Sequence, residues 1–159
     1  MRGGVAMKKE FKFGTILDEP AKEELIRLAY EGKERSYSPY SGFQVGAALL
    51  TKDGRVYLGC NIENASYTPT NCAERTAFFQ AVSEGVREFS AIAIVGGPKG
   101  RKNGQLCAPC GVCRQVMMEF CDPKEFQIIL ENGEGGYVTK TLEEILPLGF
   151  GPASLGKEE

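Results

Sequence analysis

The sequence contains no histidine. Histidine is the commonest general base of enzymes and the commonest neutral ligand of zinc, so both of these roles must fall to other residues. A metal site in this chain must therefore be built from thiolates, and proton transfer beside it must use a carboxylate. The chain has six cysteines and 21 aspartate and glutamate residues, which supply both kinds of group.

Long apolar runs and long blocks of one charge are also missing. A membrane-spanning helix needs about 20 apolar residues in succession, and the longest run here, around Ala47–Leu50, is far shorter. Met1–Ala6 is too short and too rich in glycine for a signal peptide. We therefore expect a cytoplasmic protein that binds no membrane. The formal net charge is −2, so no nucleic acid partner is expected either.

The length and hydrophobic periodicity indicate one globular domain with both helices and strands. A chain of 159 residues with 42% apolar residues can bury a core without disulfides. Helical periodicity begins after Asp18 and Pro20 and ends at about Glu34. The remaining pattern predicts strands and helices in this order: strands Phe43–Thr51 and Val56–Glu63, helix Cys72–Glu84, strand Phe89–Val95, helix Cys110–Phe120, and strands Phe126–Leu130 and Tyr137–Lys140.

Short signals between these elements predict how they connect. Asp53-Gly54 is typical of a tight hairpin, so the first two strands should be antiparallel. The strand-helix-strand order that follows predicts a parallel pair joined by a right-handed crossover. The turn at Glu131–Gly136 is too short for such a crossover, so the last strand should be antiparallel to its predecessor. Thr141 and Glu144 form a capping box for a short closing helix.

The spacing of the cysteines favours a metal site over disulfides. Cys107, Cys110 and Cys113 lie close together in the sequence, which in a cytosolic protein is typical of metal binding. Cys110 and Cys113 should face the same way in the first turn of a helix, where the helix N-terminus lowers the pKa of a thiol. Cys107 precedes Ala108-Pro109, in a segment that the proline makes extended, and is expected to be a loop cysteine.

A second segment offers a thiol and a carboxylate together. Cys72 and Glu74 lie in the first turn of a helix that Thr70 or Asn71 could cap. With Cys110 and Cys113, Cys72 would complete the three protein ligands of a catalytic zinc site, which keeps its fourth position for water.

Spacing alone leaves other kinds of site open. An iron–sulfur cluster could use Cys107, Cys110 and Cys113, although the next cysteine is Cys121 and the usual pattern places one three residues later. A redox dithiol at Cys110 and Cys113, or a closed structural zinc site with four cysteines, is also compatible with the spacing. Glu74 favours the catalytic zinc site, because a carboxylate beside the metal could transfer protons.

Asn61 and Glu63 form a polar pair at the end of the predicted second strand. Alternation places both side chains on the same face, where an amide and a carboxylate could bind a polyol. The same pattern also fits a solvated strand end.

The two cysteine segments resemble the small homotetrameric cytidine deaminases of pyrimidine salvage. The resemblance is carried by Cys72-Ala73-Glu74-Arg75-Thr76 and by Pro109-Cys110-Gly111-Val112-Cys113-Arg114-Gln115. Segments 36–41, 43–49, 59–65 and 146–152 resemble the same family in the same order. The similarity covers about residues 20–152. We therefore expect a cytidine deaminase domain at 16–152, a poorly ordered N-terminal leader at 1–15 and a C-terminal tail at 153–159.

The resemblance implies a fold, an activity and a cofactor. The fold is α/β, a three-layer α-β-α sandwich with a five-stranded mixed sheet. The activity is hydrolytic deamination of cytidine and deoxycytidine to uridine and deoxyuridine plus ammonia. One zinc ion per chain would be bound by Cys72, Cys110 and Cys113, and Glu74 would transfer protons without binding the metal.

The resemblance also implies roles around this centre. Arg75, braced by Gln115, would withdraw charge from the thiolates. The base would stack on Phe43 and meet the backbone around Ala73, and the ribose hydroxyls would meet Asn61 and Glu63. In a homotetramer with shared active sites, the residues that reach into a neighbouring subunit's site would be Tyr67 and Phe150.

Two alternatives compete with this interpretation. A zinc-stabilised binding module would make Glu74 an ordinary first-turn helix residue. A deaminase for a cytosine-containing antibiotic nucleoside would keep the same chemistry, but the ribose motif Asn61-Ile62-Glu63-Asn64 argues against it.

Overall fold

The computed structural model describes residues 17–101 and 104–157, and the predicted leader lies outside these residues. The strands are β1 (Phe43–Thr51), β2 (Val56–Cys60), β3 (Phe89–Pro98), β4 (Gln127–Glu131) and β5 (Tyr137–Thr141). The helices are α1 (Glu19–Lys33), α2 (Ala73–Ser83), α3 (Gly111–Phe120), α4 (Leu142–Ile145) and a 3-10 helix at Pro152–Leu155. Within the described ranges, no helix combines the length and apolar character that crossing a bilayer requires.

The strands form one mixed sheet in the order β2-β1-β3-β4-β5. The β1–β2 hairpin is antiparallel, as Asp53-Gly54 predicts, and β5 is antiparallel to β4. The parallel pair is β3 with β4, joined across α3. The parallel pairing predicted for the strands on either side of α2 is wrong: β2 and β3 run in the same direction, but β1 lies between them and is antiparallel to both. The hairpin occupies one edge of β1, so the chain that returns through α2 must pair with the other edge.

Helices cover both faces of the sheet, which confirms the three-layer α/β fold. In β1, successive residues alternate between two cores, with Leu49 on the α2 and α3 side and Leu50 on the α1 side. The core beneath α2 and α3 contains a cluster of aromatic rings in which Phe78 contacts three others, namely Phe89, Phe120 and Phe126. The α1 core consists mainly of small and branched aliphatic side chains from β1, β3 and α1.

α1 and α2 begin differently: a side chain caps α1, whereas no side chain caps α2. Asp18 caps α1 as predicted, and its carboxylate accepts a hydrogen bond from the Ala21 N–H at 3.0 Å. The predicted cap of α2 at Thr70 or Asn71 is wrong, because the N-cap is Cys72. Asn71 exchanges two backbone hydrogen bonds of 2.9 Å with Ile62, so it is held in an extended bridge and the helix can begin only after it.

β2 ends at Cys60 and not at the predicted Glu63. Asn61 still bonds β1, since its N–H donates to the Val45 carbonyl at 3.2 Å, but from this residue onward the chain also pairs with the segment at Tyr37. The Tyr37 N–H donates to the Asn61 carbonyl at 3.0 Å, and the Glu63 N–H donates to the Tyr37 carbonyl at 2.8 Å. Asn61 and Glu63 therefore lie at the point where the strand becomes a loop.

Candidate metal centre and active site

Three thiols converge where α2 and α3 begin. Cys72 and Cys110 are the N-cap residues of the two helices, and neither side chain caps its own helix, so both thiols are free to point elsewhere. Cys113 follows in the first turn of α3 and is buried. The Sγ atoms of all three lie within 4.8 Å of one another. The Sγ of Cys110 is 3.8 Å from that of Cys72 and 3.4 Å from that of Cys113.

These distances fit a single zinc ion. Tetrahedral coordination with Zn–S bonds of about 2.3 Å places the sulfur atoms roughly 3.8 Å apart. Thiolates are also the ligands that select zinc over hard cations such as Mg²⁺. Among the described residues, the group that could hold a metal ion contains these three cysteines and does not include Cys107. A zinc site of three protein ligands, with a fourth position for water, matches this group better than a four-cysteine site.

Cys107 packs against the sheet next to the thiol group. A Cβ placed on Gly96 of β3 would lie 2.7 Å from the Cys107 Sγ and 3.1 Å from Cε1 of Phe43. Only glycine at position 96 lets both side chains approach β3 this closely. Burial raises the pKa of the Cys107 thiol to about 11. The sequence offered no signal for the contact that Gly96 permits.

Cys72 and Cys113 have pKa values shifted in opposite directions. The neighbouring Cys113 thiol, assisted by Arg75, lowers the pKa of Cys72 to about 5. The neighbouring Cys72 and burial raise the pKa of Cys113. The thiolate is therefore favoured on Cys72 and the proton on Cys113. Zinc binding must displace that proton, so metal affinity should fall at low pH.

Glu74 is a buried carboxyl group beside the thiols. It lies in the first turn of α2, and its exposed fraction is 4%. Burial raises the pKa of Glu74 to about 7, and the charge on Cys72 adds to this effect. A carboxyl group with such a pKa can both accept and release a proton near neutral pH, which is what a general acid–base requires.

Arg75 approaches the thiols, but the predicted brace by Gln115 is not seen. The Arg75 Nη2 donates to the Thr70 carbonyl at 3.3 Å and lies 3.6 Å from the Cys72 Sγ. The Arg75 Nε is buried and has no hydrogen-bond partner among the described residues. The Gln115 Nε2 donates to the Phe150 carbonyl at 2.9 Å, which ties α3 to the C-terminal segment.

The Asn61 side chain is hydrogen-bonded to the backbone of β1, including Phe43. Asn61 Nδ2 donates to the Phe43 carbonyl at 2.9 Å, and Asn61 Oδ1 accepts from the Val45 N–H at 2.9 Å and from the Ser36 hydroxyl at 2.5 Å. The amide is thus fixed in orientation by two backbone groups of β1. One N–H of its amide remains unused in these contacts.

The carboxylate of Glu63 meets the turn before β1. Its Oε2 accepts from the N–H groups of Tyr40 and Ser41 at 2.9 and 3.2 Å, and its Oε1 accepts from the Ser41 hydroxyl. The Ser41 hydroxyl, followed by the two N–H groups, lowers the pKa of Glu63. Glu63 is therefore held as a carboxylate, whereas Glu74 is shifted towards the neutral acid.

The remaining predicted residues lie on α2 or on the surface. A Cβ on Gly59 would lie 2.0 Å from the Ala73 carbonyl, so that carbonyl packs directly against β2. The Ala73 N–H, at the first position of α2, has no acceptor within the helix and can donate a hydrogen bond to a ligand. Tyr67 and Phe150 are exposed, at 74% and 58%, and so do not enter the buried part of the site in the single chain.

Three thiols at two helix N-termini, with a buried carboxyl group next to them, define a zinc-binding centre of the kind found in enzymes. The chain belongs to the family described as "Cytidine and deoxycytidylate deaminase zinc-binding region", which matches residues 20–129. The predicted family, enzyme class and zinc cofactor are thereby confirmed.

Individual proteins similar to this chain include cytidine deaminases. A cytidine deaminase from Sporosarcina psychrophila is 48% identical over 133 residues, which are 84% of this chain and 93% of that protein. A cytidine deaminase from Halalkalibacterium halodurans is 51% identical over 129 residues, 81% of this chain and 93% of that protein. The crystal structure of cytidine deaminase from Burkholderia pseudomallei has a TM-score of 0.73 and 47% identity, and the match covers 80% of this chain and 98% of that one.

Proposed function

We propose that this protein deaminates cytidine and deoxycytidine to uridine and deoxyuridine, releasing ammonia, as a step of pyrimidine salvage in the cytoplasm. The observation that carries the proposal is the convergence of three thiols within 4.8 Å beside the buried Glu74. A binding module would have no need for a buried carboxyl group whose pKa is raised to about 7.

The reaction needs an activated water and a proton carrier. Zinc held by Cys72, Cys110 and Cys113 would supply the Lewis acid that makes water a nucleophile at neutral pH. Glu74 takes one proton from the attacking water and holds it on a carboxylate oxygen. It delivers this proton to N3 of the base as the water oxygen bonds to C4. Glu74 then takes the remaining proton from that oxygen and gives it to the amino group, so the C4–N bond breaks, ammonia leaves and a carbonyl forms at C4.

Arg75 compensates the charge of the ligands. Three thiolates and one divalent ion sum to −1, which makes water a poorer acid than it would be beside neutral ligands. The Arg75 guanidinium, 3.6 Å from the Cys72 Sγ, and the N-termini of α2 and α3 draw electron density from the thiolates.

Phe43 and Ala73 bind the base in this proposal. The Cε1 edge of the Phe43 ring lies close to Gly96, and the face of the ring is available to stack on a planar ligand in this proposal. The free N–H of Ala73 donates to the polar edge of the pyrimidine.

Asn61 and Glu63 bind one sugar hydroxyl between them. The Asn61 amide has one N–H to spare, because both lone pairs of its oxygen and its other N–H are used. The Glu63 carboxylate accepts three hydrogen bonds and has room for about four. A single hydroxyl can accept from the first residue and donate to the second, and we assign this position to the ribose 3′-hydroxyl.

We expect the enzyme to discriminate by the sugar. Ultraviolet assays should give high kcat/KM for cytidine and deoxycytidine and low kcat/KM for cytosine, which lacks the hydroxyl, and for cytidine monophosphate, whose phosphate Glu63 repels. Glu63→Gln should lower kcat/KM for cytidine by about tenfold or more, because the carboxylate acceptor is lost.

With a cytosine-containing antibiotic nucleoside added to these substrates, three results would contradict all or part of the proposal. Cytidine monophosphate as the best substrate would contradict the ribose assignment and would direct attention to the basic loop around Lys99 and Arg101. A cytosine-containing antibiotic nucleoside as the best substrate would favour the alternative enzyme. If protein that holds one zinc per chain did not deaminate cytidine, the deaminase proposal itself would be refuted.

We further infer a homotetramer in which neighbouring chains complete each other's sites. Tyr67 and Leu148 have positive φ angles of 59° and 57°, a conformation that costs a non-glycine residue about 1–2 kcal/mol. Both side chains are exposed, as are Phe150 and Leu155. Apolar side chains held outward at such a cost are typical of a protein interface.

Light scattering should therefore give the mass of four chains. Phe150→Ala should raise the KM for cytidine if this ring reaches a neighbouring site, whereas Leu106→Ala, at another exposed apolar position, serves as the matched control. A fully active monomer would contradict the shared site.

A further inference from the structure

The turn before β1 connects two residues that the proposed function assigns to the ligand. The Ser41 hydroxyl donates its one hydrogen to Oε1 of Glu63 and accepts a hydrogen bond from the Phe43 N–H at 3.0 Å. One side chain thus contacts both the carboxylate proposed to bind the sugar and the backbone of the ring proposed to bind the base. No pattern in the sequence separates Ser41 from the other serines of the 36–41 segment.

The geometry of the turn makes this bridge possible. Gly42 has a φ angle of +64°, a left-handed conformation that favours glycine, and its N–H donates to the Ser38 carbonyl at 3.1 Å. The chain therefore reverses tightly between Ser41 and Phe43, which brings the hydroxyl back to the amide two residues later.

The backbone of Phe43 is held from both sides. Its N–H is bound by Ser41, and its carbonyl is bound by the Asn61 amide at 2.9 Å. Ser41 and Asn61 thus join Phe43 and Glu63 into one hydrogen-bonded unit. A side chain that moves in this unit would shift the base and sugar contacts relative to each other.

We propose that Ser41 is a positioning residue for nucleoside binding, which acts by holding the Glu63 carboxylate and the Phe43 backbone in place. This inference rests on the proposed function. Ser41 is assigned no contact with the reacting atoms, so it should affect substrate binding and leave proton transfer by Glu74 unchanged.

The test is steady-state kinetics of Ser41→Ala with cytidine. We expect KM to rise about tenfold while kcat stays within about twofold, because a contact made equally in the ground state and the transition state affects KM alone. Ser41→Thr, which keeps the hydroxyl, should restore most of the affinity. Ser83→Ala is the matched control, since its hydroxyl bonds the Gln80 carbonyl within α2 at 2.8 Å, and its KM should not change.

A double-mutant cycle separates positioning from general loss of structure. If Ser41 acts through Glu63, Ser41→Ala should raise KM much less in a Glu63→Gln background than in the parent, because the two changes disrupt one unit. Independent multiplication of the two effects would overturn the proposal, as would an unchanged KM in Ser41→Ala. Equal losses of kcat in the Ala and Thr variants would also overturn it, because they would indicate disrupted folding. A parent protein inactive on cytidine would instead refute the proposed function.

Discussion

Glu74→Gln should retain zinc and the fold and lose turnover. The amide has nearly the shape of the carboxyl group, so packing in the buried site is preserved, but it cannot accept a proton from water and return it to the base. General acid–base catalysis contributes about 10²–10⁴-fold. We expect kcat for cytidine to fall by at least about 100-fold, measured by the loss of ultraviolet absorbance.

The control and the metal content decide how this result is interpreted. Glu119→Gln makes the same chemical change on the exposed side of α3 and should keep parental activity. Metal analysis should find one zinc per chain in both variants. Activity of Glu74→Gln within about tenfold of the parent would mean that water or another group moves the protons. An inactive variant that had also lost its zinc would contradict our assignment of Glu74 as a residue that does not bind the metal.

Cys110→Ala should lose both the metal and stability. Its Sγ lies between those of Cys72 and Cys113, at 3.8 and 3.4 Å, so its removal takes away a ligand that links the starts of α2 and α3. A bound ligand at about 100 times its Kd stabilises a fold by about 2.7 kcal/mol. We expect zinc content to fall well below one per chain, activity to be lost, and the free energy of unfolding to drop by about this amount or more.

Two other cysteines provide controls for this experiment. Cys60→Ser replaces the thiol that donates to the Arg35 carbonyl at 3.3 Å with a hydroxyl donor, and Cys121→Ala removes a buried thiol that belongs to the aromatic core. Both variants should keep one zinc per chain. Full zinc occupancy in Cys110→Ala would instead implicate Cys107, whose side chain packs over Gly96.

The sequence predicted what depends on local periodicity and short spacing. β1 has the predicted bounds, Asp18 caps α1, and Thr141 with Glu144 forms the capping box. These features involve residues within about one helical turn or alternating along one strand, so the signal lies in a few neighbouring positions. The same reasoning set Cys110 and Cys113 on one turn of α3.

The tertiary structure decided how distant segments meet. The sheet order places β1 between β2 and β3, which a strand-helix-strand pattern cannot reveal because pairing depends on the free edge of β1. The packing of α2 and α3 also brings the Sγ of Cys72 close to that of Cys110, which is 38 residues away along the chain.

The tertiary structure also decides which hydrogen-bond partners the polar side chains have. Gln115 bonds Phe150 and not Arg75, and Ser41 bonds Glu63, because each side chain takes the acceptor that packing brings within reach. From the sequence alone, the resemblance supplied the residues of the site. Only the folded chain determined which of them touch, since hydrogen bonds between residues far apart in sequence depend on how the layers pack.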